Sequence, residues 1–122
     1  MKILIKNGRV LDPGSNRDEI ADVALAAGRV VAIGGTPTGF SASRVIDAAG
    51  CIVAPGLVDL AVRLREPGHE HEGMLESEMA AAVAGGVTSL VCPPDTDPVL
   101  DEPGLVEMLK MRAEKLHQAR VF

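Results

Sequence analysis

The chain of 122 residues is about the length of one domain, with 47% apolar and 24% charged residues and a formal net charge of −5. An acidic chain with 2% aromatic residues and no Trp or Tyr carries neither the basic footprint of a nucleic-acid or anionic-membrane binder nor the stacking platform of a single-strand binder. No apolar run approaches the roughly 18 residues of a transmembrane helix, the apolar start is too short for a signal peptide, and the two cysteines, Cys51 and Cys92, predict a reducing cytoplasm rather than a disulfide framework.

The first half reads as short strands. Lys2–Lys6 is an apolar run closed by Asn7-Gly8, a hairpin signal, after which Arg9-Val10-Leu11 resumes the strand and Asp12-Pro13-Gly14 ends it. Asp22–Leu25 alternates polar and apolar, Ala27-Gly28 turns, and Arg29–Ile33 follows to Gly34-Gly35. Arg44–Asp47 and Cys51–Val53 are two further strands, divided by Ala49-Gly50. Five or more short strands at spacings near ten residues predict a small sheet or sandwich.

From residue 55 the period changes. Leu57–Val62 reads as a buried strand, 66–71 as a polar loop, and 72–84 as a helix with Leu75, Met79, Ala82 and Val83 on one face. Gly85-Gly86 stops the helix, and Val87–Cys92 is the next strand, stopped by Pro93-Pro94. Asp101 is placed to cap a second helix with Pro103 in its first turn and Leu105, Leu109, Arg112 or Ala113, and Leu116 as its stripe. Val121-Phe122 opens a third strand. The order strand–helix–strand–helix–strand predicts a parallel α/β sheet. A closed (β/α)₈ barrel takes roughly 200 residues or more, so these residues hold only its first units.

Three sequence words carry a resemblance: Ala54-Pro55-Gly56-Leu57-Val58-Asp59, Leu64-Arg65-Glu66-Pro67-Gly68 and Ala84-Gly85-Gly86-Val87-Thr88. With them stands Cys92-Pro93-Pro94-Asp95-Thr96-Asp97-Pro98, similar to a Met-Pro-Asn-Thr-x-Pro element. Residues 54–98 thereby resemble the start of the barrel in dihydroorotases and related cyclic amidohydrolases, and residues 1–54 resemble that family's β-rich half-sandwich. The implied organisation is a half-sandwich over 1–54 and a truncated amidohydrolase-type (β/α)₈ barrel over 55–122.

The family's chemistry uses two histidines spaced His-x-His at the end of the first barrel strand, where positions i and i+2 face one metal. That metal, zinc in the family, acidifies a bound water, and the hydroxide attacks the ring amide. The matching positions here are Ala61 and Arg63. Alanine offers no lone pair, and arginine is a protonated donor without an acceptor. No metal or other cofactor is therefore expected, and no catalytic residue is assigned. Arg63 is expected at the carboxyl end of the first barrel strand, within ion-pair reach of Asp95.

Two substrate-binding remnants carry over from the resemblance. Arg65 matches the arginine that grips the substrate carboxylate in dihydroorotases, for which a guanidinium fork is suited. Its structural alternative is a loop arginine paired with Glu66 or Glu70. Asp95 matches the family's asparagine, and a carboxylate there repels an anionic substrate. His69-Glu70-His71 also spells His-x-His, but it lies in a loop beyond the strand end and reads as solvated histidines. His117 reads as a lone residue late in the second helix, and Cys92 as a structural thiol. The acids Asp95, Asp97, Asp101 and Glu102 are interrupted by prolines and fit no calcium loop.

The resemblance implies a dihydroorotase-like protein of pyrimidine biosynthesis, inactive as it stands, acting as a structural subunit with aspartate transcarbamoylase in the cytoplasm. The alternative is a divergent metal-dependent cyclic amidohydrolase whose ligands come from downstream residues. Its exposed sheet is expected to pair with the remainder of the barrel or to self-associate, with no nucleic acid and no membrane as partner.

Overall fold

The computed structural model describes residues 1–122 and falls into two units, Met1–Pro55 and Gly56–Phe122. The first is a five-stranded sheet. β1 (Lys2–Asp12) runs antiparallel to β2 (Arg17–Ala26), which pairs antiparallel with β3 (Arg29–Ile33). On its other edge β1 pairs in parallel with β4 (Arg44–Asp47) and, further along, with β5 (Ile52–Val53). Ala27 and Gly28, at φ 50° and 71°, form the two-residue turn between Ala26 and Arg29, as the sequence predicts.

Asn7-Gly8 is not a hairpin turn. β1 runs straight through it, and the register against β2 slips by one residue between Ile5↔Val23 and Gly8↔Ala21. Asn7 takes φ 63° as the extra residue of a β-bulge, its N–H donating to Asp22 Oδ1 at 3.1 Å and its amide to Asp47 Oδ1 at 3.0 Å. The bulge has a packing consequence. Ile5 and Val10 are five apart and would face opposite sides of a regular strand, yet both pack with Ala21 and Val23. Gly8 is required by close approach, because a Cβ there would stand 2.5 Å from Val53 Cγ2. Gly8→Ala is therefore expected to cost about 1–3 kcal/mol by overpacking, read as a lowered denaturation midpoint. An unchanged midpoint would contradict the close approach.

The second unit is a parallel sheet in the order β6 (Leu57–Asp59), β7 (Val87–Leu90), β8 (Arg120–Val121), linked by α1 (Leu75–Ala84) and α2 (Pro103–Lys115). This is the mixed α/β fold expected, β-rich first and then alternating strand and helix. Leu64, Leu75, Met79, Leu90, Leu109, Ala113 and Ala119 form its core. Each large side chain buried there contributes about 1.5–3 kcal/mol. Neither helix is long and apolar enough to cross a membrane.

Several boundaries differ from the sequence reading. β6 ends at Asp59 instead of Val62, because the Asp59 carboxylate accepts the Ala61 N–H at 2.9 Å and turns the chain. Contact with the neighbouring strand resumes where Val62 N–H donates to Val91 C=O at 3.0 Å. β7 likewise ends at Leu90 rather than Cys92. α1 starts at Leu75 rather than Glu72, since the N–H groups of Glu72 and Gly73 are turned onto His69 C=O. Val83 of the expected apolar face is exposed. α2 is capped at Glu102, not Asp101, with Pro103 in the first turn and no side-chain cap bond. His117 lies beyond α2 at φ 51°.

Candidate functional site

Two loops of the second unit carry the residues singled out by sequence: the segment after β6, through 73, and the segment after β7, through 98. They touch at Gly68, which takes φ 101°; a Cβ there would lie 2.2 Å from the Asp97 carbonyl oxygen. Asp97 N–H donates to Pro67 C=O at 3.2 Å. The Glu-Pro-Gly word thus seats one loop against the other, and only glycine permits the approach.

Ala61 and Arg63 lie beyond β6, not on it. Arg63 Nε and Nη2 both reach Asp95 Oδ2, at 2.9 and 2.8 Å. The pair is half exposed, 57% and 46%, and such a pair contributes about 0–1 kcal/mol. Its consequence is chemical. At the two positions where the resemblance places metal-binding imidazoles, Ala61 supplies no donor atom and the Arg63 guanidinium, bonded to Asp95, has no lone pair to give. The zinc implied by the resemblance does not fit these residues.

Arg65 adopts φ 66°, a left-handed conformation that costs a non-glycine residue about 1–2 kcal/mol. Its Nη1 pairs with Glu72 Oε2 at 2.8 Å, not with Glu66 or Glu70. Glu70 instead accepts the Gly68 N–H at 3.0 Å, and its own backbone N–H together with that of Gly68 holds its carboxyl below the usual range. Arg63, Leu64, Arg65, His69, Cys92, Asp95 and Thr96 line one depression of about 120 Å³. The two remnants, Arg65 and Asp95, therefore share a surface, each already paired with a charge of opposite sign.

Cys92 is partly buried at the same depression. Burial pushes its thiol up; a hydrogen bond with the Leu64 backbone pulls it back, and the Asp95 charge raises it again. A thiol held protonated is a poor nucleophile. Iodoacetamide near neutral pH is expected to modify exposed Cys51 well before Cys92, checked by mass spectrometry of the peptides. Faster labelling of Cys92 would show an activated thiol.

Two features escaped the sequence reading. Glu66 is only 2% exposed. Its Oε1 accepts the Leu75 N–H at 2.9 Å, capping α1 from nine residues upstream, and its Oε2 pairs with Arg112 of α2. No spacing signal announces that pair. The second is Glu72, whose Oε1 sits 3.9 Å from His69 Nδ1 and 3.8 Å from His71 Nε2. The histidines themselves sit in a loop with side chains 44% and 75% exposed, as the sequence reading expects; the carboxylate between them is what it leaves out.

The family model of dihydro-orotase-like proteins matches residues 50–122. Over all 122 residues the chain is 52% identical to a dihydroorotase-like protein of Pseudomonas aeruginosa and 44% identical to a dihydroorotase of Pelobacter propionicus. Each alignment takes in 100% of this chain and 29% of the relative, so the chain spans less than a third of those proteins. Among solved structures, L-hydantoinase (dihydropyrimidinase) from Arthrobacter aurescens superposes with a TM-score of 0.78 at 30% identity, over 91% of this chain and 24% of that one. A D-hydantoinase superposes with a TM-score of 0.69, also at 30% identity, over 88% of this chain and 23% of its own. With the match over residues 50–122 added to the loop words and the parallel β–α order, the chain belongs to the dihydro-orotase-like family.

Proposed function

We propose that this chain is part of a non-catalytic dihydroorotase-like protein of pyrimidine biosynthesis, a structural subunit beside aspartate transcarbamoylase. The observation that carries the non-catalytic reading is the pair Ala61 and Arg63, with the Arg63 guanidinium bonded to Asp95. A metal-activated water needs a metal held by lone-pair donors, and at these two positions a methyl group and a protonated guanidinium offer none. The scaffolding role follows from the family resemblance, with the barrel as a rigid surface on which catalytic subunits assemble. Leu57, Val58 and Leu60 are exposed at 59%, 59% and 74%. In this reading they are covered by the remainder of the barrel or by a second copy.

Co-expression of the full-length protein with aspartate transcarbamoylase catalytic chains tests the role. One complex on sedimentation is expected, with transcarbamoylase activity lost or dispersed when this protein is withheld. Separate migration of the two, each fully assembled, would refute it.

A second reading is a divergent metal-dependent cyclic amidohydrolase with ligands supplied from outside these residues. The 44% identity to a protein named dihydroorotase and the likeness to two hydantoinases favour it. Against it stands the lack of a metal-donor atom at both Ala61 and Arg63.

A further inference from the structure

The loop from 66 to 73 holds a second constellation, separate from positions 61 and 63. It is built from consecutive turns: His69 N–H donates to Arg65 C=O at 2.8 Å, and Glu72 N–H donates to His69 C=O at 2.9 Å. A turn sets residues i and i+3 side by side, so His69 and Glu72 share one side of the loop. His71 reaches the same carboxylate oxygen from within the turn. One nitrogen of His69, one of His71 and one oxygen of Glu72 all lie within 4.8 Å of one another. The imidazole centroids are 6.1 Å apart and tilted by 45°, so the rings converge without stacking.

We propose that His69, His71 and Glu72 form a binding site for a divalent transition-metal ion of the zinc class. Two imidazoles and one carboxylate are a borderline donor set suited to zinc, and three protein ligands leave a fourth position for water. Zinc–nitrogen and zinc–oxygen bonds of about 2.0–2.2 Å place tetrahedral donors roughly 3.3 Å apart. The present His–Glu separations of 3.8 and 3.9 Å, with all three ligand atoms within 4.8 Å, close to that by rotation of the two imidazole rings.

The surroundings are arranged for it. Arg65 Nη1 holds Glu72 Oε2 at 2.8 Å and leaves Oε1 facing both imidazoles, the outer-shell support that orients a ligating carboxylate. Glu70, in the same turn, adds a second negative charge, its carboxylate held on the Gly68 N–H at 3.0 Å. The loop is anchored at one end by buried Glu66 and at its middle by Gly68 against Asp97, so ordering it costs little on binding. Bound there, the ion clips the turn closed just before α1. The site is independent of the non-catalytic reading, since neither Ala61 nor Arg63 takes part.

The test is a zinc titration of the metal-free full-length protein against a chromophoric zinc indicator, with activity not read. The unaltered protein is expected to compete for one zinc through this site. His69→Ala with His71→Ala, and separately Glu72→Gln, should each weaken that binding by at least about tenfold. His117→Ala, an exposed histidine outside the cluster, should bind as the unaltered protein does. None of the substituted side chains is buried, at 44%, 75% and 44% exposure for His69, His71 and Glu72, and Glu72→Gln keeps the shape of the one it replaces, so loss of folding does not blur the result. Absence of zinc binding by the unaltered protein, or undiminished binding by either the double variant or Glu72→Gln, overturns the proposal.

Discussion

Arg112→Met is expected to destabilise the chain by about 3 kcal/mol or more, seen as a fall in the denaturation midpoint. The cause lies in Glu66. Its carboxylate is 2% exposed, with Oε1 accepting the Leu75 N–H at 2.9 Å and Oε2 paired with Arg112. Removing the guanidinium leaves a buried charge without its counter-charge, the costly half of a broken pair. Glu66→Gln should cost less, about 1–3 kcal/mol, because its amide oxygen can still cap α1 and half-exposed Arg112 can return to water. The asymmetry is the signature. Equal small losses below about 1 kcal/mol would mean that the pair behaves as a surface ion pair and that α1 is not fixed to α2 through it.

Leu64→Ala is expected to cost about 2–5 kcal/mol. Leu64 is 1% exposed and packs in the core with Leu75, Met79 and Leu90. It also stands between Arg63 and Arg65, both of which reach toward solvent from the adjacent positions. A cavity there removes the anchor that holds both arginines at the depression they share with Asp95. Met111→Ala is the control: on α2 at 53% exposure it should change stability by no more than about 0.5 kcal/mol. Comparable losses for the two would show that burial does not rank these positions.

The sequence made the coarse fold legible because its periods are clean. Leu109 and Ala113 on α2 are buried as their helical spacing predicts. Val87–Leu90 and Arg29–Ile33 fall inside predicted strands. It misled wherever a polar side chain bonds backbone, since no periodicity records that. Asp59 bonding to Ala61 cuts β6 short, and Asn7 bonding through Asp22 and Asp47 turns an expected hairpin into a bulge. At the site, the approach of Arg63 to Asp95 was readable because two neighbouring parallel strands bring their ends together. The Glu66–Arg112 pair was not, because it joins a loop to a helix turn 46 residues later, a separation set by tertiary packing alone.

The non-catalytic reading is tested most directly by hydrolysis of a cyclic amide of the dihydroorotate type by the full-length protein, with zinc supplied in excess. Ala61 and Arg63 offer no ligand, so the rate is expected to equal that of the uncatalysed reaction, before and after treatment with a chelator. Turnover above that rate that the chelator removes would show a working metal centre assembled despite Ala61 and Arg63, and would contradict the assignment of this chain as non-catalytic.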